Sequence, residues 1–363
     1  MTGAPLRVGV VGCGFQGRLH LETLAREPGI VVAGVCDLDE SRALAAASEF
    51  GAEGQFVDYR AMLASGPFDV VTICTMPSSH LEIARAAFGA GAHVLCEKPM
   101  AMSAAEAAEM ERAARAAGRE LRIGFNMRFM DAAIAARRAI EAGEIGELVC
   151  ARGHMLADDV PWWGRHYDRA LSGGGALAAT AVHMLDLVRF LAGNPAPVTA
   201  TASAATLFPL KRSHGAPSDE ARAAYSVDDL IFGHVRFEGG FWMSIEGAWV
   251  WDLGGGWNYG FDLVGTKAQI RFDPFEIRGE VDGTVRRLDD GAVLATDFPG
   301  SVARELLAFL QVVRDPSHRS SIATAREGVE IQALVDALYA SASVGRELVV
   351  DVPAAPAGSP EAA

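Results

Sequence analysis

Gly12-Cys13-Gly14-Phe15-Gln16-Gly17 follows the apolar run Leu6–Val11 and leads into Phe15–Arg26, whose apolar residues recur at helical spacing. A second apolar run, Ile30–Cys36, ends on Asp37. A GxGxxG stretch alone says little. Set between a strand and a helix, with an acid about 20 residues further on, it is the fingerprint of a dinucleotide site. The glycines permit a tight turn and bring a pyrophosphate close to a helix N-terminus, while the acid accepts from a ribose 2′-hydroxyl. Gly12, Gly14, Phe15, Gln16, Gly17 and Asp37 are therefore candidate cofactor residues. Asp37 would repel a 2′-phosphate, which favours NAD over NADP. Arg42, one helical turn on, keeps NADP open.

Outward from this turn, strands and helices alternate. Asp39–Phe50 reads as a helix, Asp69–Thr75 as a fully buried strand, Ser79–Ala90 as a helix and His93–Cys96 as a strand. Ser103 caps a helix through Ala117, with Glu106 completing a capping box. Leu121–Phe125 is one more strand. Apolar strands alternating with helices predict a parallel sheet covered on both faces. After a connecting helix, Ala133–Gly143, the texture changes. Leu148–Leu156, Val198–Leu207, Leu230–Phe237, Phe241–Trp251, Gly260–Val264 and Gln269–Phe272 read as strands without helices between most of them, which predicts an antiparallel sheet. One helix, about 175–191, interrupts it. Val302–Arg314 and Glu327–Val344 read as helices, Pro209–Tyr225 as a mobile polar loop and the residues after Pro353 as a disordered tail. The fold class is thus α/β plus α+β: a dinucleotide-binding Rossmann domain (1–125), a domain with an open, mostly antiparallel sheet (126–352) and a tail (353–363).

The 363 residues suit two domains at about 100–200 residues each. A net charge of −14 argues against a protein that grips nucleic acid or an anionic membrane. No run of 18 apolar residues and no leader pattern are read, so the expected location is the cytoplasm. Five cysteines, never spaced CxxC, read as buried free thiols. His154 with Asp158 and Asp159 lacks repeated metal-ligand spacing, so no metal site is expected. The basic residues comprise 29 arginines and only three lysines, Lys98, Lys211 and Lys267. In such a chain a lysine points to a position where arginine chemistry fails, because a desolvated lysine can lose its proton and an arginine cannot.

At Gly91-Ala92-His93-Val94-Leu95-Cys96-Glu97-Lys98-Pro99 the chain resembles the glucose–fructose oxidoreductase/inositol dehydrogenase (Gfo/Idh/MocA) family. The GxGxxG turn, Thr75-Met76-Pro77 with His80, Asn126-Met127-Arg128-Phe129, Gly143-Glu144-Ile145-Gly146, and Ser172-Gly173-Gly174-Gly175-Ala176-Leu177 with His183 and Asp186 follow in family order. The resemblance implies an NAD(P)-dependent oxidoreductase of sugars, sugar derivatives or cyclitols. It implies a homodimer or homotetramer through the C-terminal sheet. Thr75, Pro77, His80, Glu97, Lys98 and Asn126 would border the cofactor. Lys98 would exchange the proton of the reacting hydroxyl, and His183 would share that proton or bind the hydroxyl. Asp186, three residues on and near the same helix face, could orient His183 or equally be a structural polar residue; Arg128 and Thr180 join the substrate candidates. One departure stands out: many members carry Asp four residues before this His and Gly two before, where this chain has Ala179 and Ala181 around Thr180. A replacement carboxylate could come from Asp158, Asp159 or Asp168.

All six tryptophans lie in the second domain. Trp162 and Trp163 stand beside Arg165, His166 and Tyr167, a set that suits the apolar face and polar rim of a sugar. Trp242, Trp249 and Trp251 read better as core or subunit-interface residues. Two other functions stay open: a sensing regulator that keeps the fold without the chemistry, and an NAD-dependent glycosidase.

Overall fold

A computed structural model describes residues 4–208, 215–294 and 297–356. The chain forms two compact units. One comprises the residues up to Asn126, Pro299–Val329 and those from Pro353 onward; the other comprises Met127–Phe298 and Glu330–Val352. Pro299–Val329 therefore groups with the first unit, although it lies in the stretch expected for the second.

In the first unit, β1 (Leu6–Val11), α1 (Phe15–Leu24), β2 (Ile30–Cys36), α2 (Glu40–Phe50), β3 (Gln55–Phe56), α3 (Tyr59–Ala64), β4 (Val70–Ile73), α4 (His80–Gly89), β5 (His93–Glu97), α5 (Ala104–Ala116) and β6 (Leu121–Gly124) follow one another. The strands lie parallel in the order β6-β5-β4-β1-β2-β3, and the two-residue strand Ala323–Thr324 adds antiparallel to β6. The β-branched residues of β1, β2 and β4 form their buried centre. Helix starts are capped as their sequences demand. Asp39 accepts from the N–H groups of Ser41 and Arg42, and Ser103 accepts from Glu106 N–H. The Glu106 carboxylate returns to Met102 N–H at 3.2 Å rather than closing the expected box on Ser103. β3 and α3, two and six residues long, are too short to show a period in the sequence.

In the second unit, α6 (Asp131–Glu141), β7 (Leu148–Ala157), α7 (Arg169–Ser172), a π-helix (Ala176–Ala181), α8 (Val182–Leu191), β8 (Pro197–Ala205), α9 (Asp219–Ala223), β9 (Leu230–Phe237), β10 (Trp242–Ala248), β11 (Trp257–Gly265), β12 (Ala268–Arg271), β13 (Glu276–Val281) and β14 (Thr284–Arg287) succeed one another. The nine-stranded sheet runs β14-β13-β12-β11-β7-β10-β9-β8 and closes with Leu348–Val349. Its pairs are antiparallel except β7 with β10. That pair is the parallel exception in the mostly antiparallel sheet. The chain passes through α7, the π-helix and α8 between β7 and β8, and returns to β7 only at β10. The helix α9, capped by Ser218, lies inside the stretch expected as a mobile loop; its residues 209–214 are outside the described residues. So are 357–363 of the expected tail, whose Pro356 carbonyl accepts from Arg115. Arg169–Leu191 is by length and composition apolar enough to cross a membrane, but 89% of its most apolar 18-residue window is buried within the fold. It is a core helix.

Candidate active site

The glycine turn between β1 and α1 is built by two packing demands and one vacancy. Gly12 has φ +94, and a Cβ there would lie 2.5 Å from the Cys74 carbonyl oxygen. A Cβ on Gly17 would lie 1.8 Å from the Gly12 carbonyl oxygen. Gly14 is different. Its φ is −72, it caps α1 without a side-chain hydrogen bond, and a Cβ there would meet nothing within 4 Å. Neither backbone conformation nor protein packing demands glycine at that position. What it leaves is open space over an uncapped helix N-terminus, the geometry that accepts a phosphate. The residues thus fit a dinucleotide. Phe15, at the first turn of α1, is 63% exposed.

Asp37 terminates β2 under this turn. Its carboxylate accepts from Cys13 N–H at 2.8 Å and from Asp39 N–H at 2.9 Å, so its direction is fixed by backbone. Each oxygen keeps a further lone pair for a ribose hydroxyl. Arg42 stands 3.7 Å from Asp37 and 3.2 Å from Asp39. Cys13 is buried, which pushes its thiol up to about 12; it is a small packing residue rather than a nucleophile.

A second corner forms where β5 ends. The Glu97 carboxylate receives Gln16 Nε2 at 2.9 Å, His20 Nε2 at 3.2 Å and the backbone N–H of Lys98 at 3.3 Å. Glu97 is therefore bound to the glycine turn through Gln16. Gly124 leaves the room it needs, since a Cβ there would lie 2.9 Å from a Glu97 oxygen. Lys98 is partly buried and precedes a cis peptide bond to Pro99. Burial lowers the pKa of its amine, and the Glu97 charge works in the opposite direction. His80, expected beside the cofactor, is wholly buried, with Nδ1 at 3.1 Å from the Pro99 carbonyl and Nε2 at 3.0 Å from the Thr75 carbonyl. It braces the Lys98–Met100 loop against the segment after β4, and burial lowers its pKa. Thr75 pairs its hydroxyl with Ser79, in the 3₁₀ turn opened by Pro77. Asn126 is buried and donates to the Ser301 hydroxyl at 2.8 Å.

The second unit holds His183 in the first turn of α8, 4% exposed. The π-helix before it is anchored by residues that sequence reasoning missed. The Asp228 carboxylate accepts from Gly175 N–H at 2.8 Å and Leu177 N–H at 3.2 Å. The backbone carbonyl of Asp228 accepts from Ala176 N–H, and the Tyr339 hydroxyl accepts from Ala178 N–H. The glycine run exists for this anchor: a Cβ on Gly175 would lie 1.9 Å from the Asp228 carbonyl oxygen, and one on Gly174 would lie 2.2 Å from the Tyr339 hydroxyl. The Asp228-Asp229 doublet ahead of the apolar β9 was the available signal.

Most of the second-unit substrate candidates have partners within the unit. Arg128 and Asp186 form a buried bidentate pair at 2.8 and 2.6 Å, with Arg128 stacked 4.4 Å over the Phe190 ring. Thr180 donates to the Ala176 carbonyl and accepts from Trp249 Nε1 at 3.0 Å. Ala179 packs in an apolar cluster with Trp249, Val227 and Phe208. Asp168 caps α7 and pairs with Arg165. Trp162 packs among Tyr167, Phe208 and Tyr225, with Tyr167 buried. Trp163 stays 53% exposed, beside Trp257 at 6.1 Å. Trp249 is core, as read; Trp242 and Trp251 stand partly exposed. Among the described residues no cluster of histidine, cysteine and carboxylate side chains could hold a metal ion.

Residues 6–125 match a family model described as an oxidoreductase family with an NAD-binding Rossmann fold, and residues 133–271 match the GFO/IDH/MocA C-terminal domain. The D-glucoside 3-dehydrogenase of Escherichia coli K12 is 31% identical over 95% of this chain and 97% of its own length. Levoglucosan dehydrogenase of Pseudarthrobacter phenanthrenivorans is 31% identical over 76% of this chain and 75% of its own. Inositol 2-dehydrogenase 2 of Saccharopolyspora erythraea is 29% identical over 97% of each. Among solved structures, a levoglucosan dehydrogenase in complex with NADH superposes with a TM-score of 0.82 at 25% identity, covering 96% of this chain and 99% of that one.

Proposed function

The chain belongs to the Gfo/Idh/MocA family of oxidoreductases acting on CH–OH groups, and from that premise we propose that it transfers a hydride between NAD and a secondary hydroxyl or ketone of a sugar, glycoside or cyclitol. The observation that carries this reading is the Glu97–Lys98 corner tied by Gln16 to an open, uncapped glycine turn. NAD, when bound, supplies the hydride acceptor. The chain supplies the proton path. A neutral Lys98 amine accepts the proton of the substrate hydroxyl as the carbon–hydrogen bond breaks, and burial favours that neutral form. His183 binds the reacting oxygen or shares its proton. Gly12, Gly14, Gln16 and Gly17 shape the turn for the pyrophosphate, and Asp37 takes the adenosine ribose. NAD is favoured over NADP because Asp37 is fixed by two backbone N–H groups and cannot turn away from a 2′-phosphate.

The substrate class is argued from the relatives, named for a glucoside, levoglucosan and inositol. All three carry secondary hydroxyls on a six-membered ring. Trp163 offers an exposed aromatic face, with Arg165 exposed two residues on. A cytoplasmic homodimer or homotetramer through the outer face of the nine-stranded sheet belongs to the same proposal, with Trp242, Trp251 and Phe232 exposed on the second unit. The test is absorbance at 340 nm with NAD⁺ or NADP⁺ and a panel of glycosides, anhydrosugars and inositols. A rise with NAD⁺ and one compound class is expected. Turnover with NADP⁺ alone would overturn the cofactor choice, and silence throughout would overturn the reaction.

A further inference from the structure

Gln16 and His20 stand one turn apart on α1, and both side chains reach the same atom, Glu97 Oε1, at 2.9 and 3.2 Å. The other Glu97 oxygen accepts the Lys98 backbone N–H. His20 is fully buried and Glu97 is 6% exposed, so water screens neither. The second ring nitrogen of His20 lies 3.6 Å from Cys74 Sγ. A carboxylate on one ring nitrogen and a sulfur on the other can each accept from a proton-bearing nitrogen. We propose that His20 is a positioning residue for proton transfer at Lys98: with Gln16 it holds the carboxylate that fixes the Lys98 backbone, and its ring charge offsets the Glu97 charge one residue from the amine.

The titratable groups at this corner among the described residues are His20 on α1, Cys74 after β4, His80 at the start of α4, and Cys96, Glu97 and Lys98 at the end of β5. Burial pulls the His20 ring down, but Cys74 and Glu97 more than offset it and hold it at about 10. Burial raises the Cys74 thiol and lowers His80. Both contacts of His20 favour the protonated ring, which would give the carboxylate a cationic partner. Without that partner, a bare Glu97 charge would favour the ammonium form of Lys98, the form unable to accept a proton. Neither Lys98 nor the glycine turn reveals this in sequence, because His20 reads as one polar residue on a helix.

With only three lysines in the chain, the amine can be titrated directly. In protein labelled with [13Cε]lysine, the Lys98 resonance is assigned by its loss in Lys98→Met and followed against pH in the full chain. His20→Gln keeps a donor for Glu97 but deletes the charge; it should raise the Lys98 midpoint by about half a pH unit or more. Glu97→Gln should lower it, and the double variant should return it to within about 0.3 units of wild type. An unmoved or lowered midpoint in His20→Gln, or a double variant that does not return toward wild type, overturns the proposal. Should His20→Gln fail to fold, the double variant compared with Glu97→Gln decides, since it leaves no unpaired charge at the Glu97–His20 contact. The kinetic consequence rests on the dehydrogenase reading: the acidic limb of kcat should move up by the same amount, with KM for NAD within about threefold. The titration needs no substrate, so a protein silent with every sugar would defeat that reading and still leave His20 to be decided.

Discussion

The two units use polar residues in opposite ways. In the first, Gln16, Asp37 and Glu97 are held by backbone N–H groups and by one another around open space beside the glycine turn. In the second, Arg128, Asp186, Thr180 and Asp168 point to partners within the unit and hold its helices in place. Both sets sit in stretches that resemble the same family. The difference teaches that a motif marks where the backbone is constrained; only packing tells which side chains remain to meet a ligand.

The largest expected effect probes the second unit. Arg128→Met keeps an apolar stem over Phe190 but leaves Asp186 as a buried charge, which should cost about 3–5 kcal/mol of stability. Denaturant unfolding should show it, and Arg128→Met/Asp186→Leu should recover most of the loss. Full stability in the single variant would break the contrast by removing the structural role of the pair. Next comes Thr180→Val, which strands the buried Trp249 indole N–H and should cost about 1–3 kcal/mol. Its KM for sugar should stay within about twofold if Thr180 acts only on the fold. A selective rise in KM would return Thr180 to the substrate site.

A smaller effect sharpens the first unit. Asp37→Asn keeps one acceptor oxygen, sets an amide NH2 where a backbone N–H was accepted, and deletes the charge set against a 2′-phosphate. The ratio of kcat/KM for NAD⁺ over NADP⁺ should fall about tenfold, near 1.4 kcal/mol. An unchanged ratio would move the discrimination from Asp37 to another group.

Much of the first unit was legible because its signals are local. The alternation of β1, α1 and β2, the turn Gly12–Gly17 and the cap at Ser103 are set by neighbours in sequence. Lys98 stands out in the sequence through its scarcity and its Glu-Lys-Pro setting. The rest depends on contacts between distant residues. Asp228 anchors the π-helix from about 50 residues away in sequence, and the parallel pairing of β7 with β10 spans a longer interval. The bracing contacts of His80 are hidden in the sequence because its partners are backbone carbonyls. Ala179 marks the departure from the family pattern, and its apolar surroundings explain why a carboxylate would be costly there.

The central claim is that Lys98 exchanges the substrate proton. Protonation blocks this role, and burial lowers the pKa of the amine, so oxidation should fall as the pH drops through a value below the ordinary lysine range. The most direct measurement is turnover of Lys98→Met at 340 nm, paired with NADH binding by fluorescence. The account predicts a loss of about 10²–10⁴-fold in kcat with NADH affinity within about threefold of wild type. A variant that turns over near the wild-type rate, with the same pH profile, would contradict it.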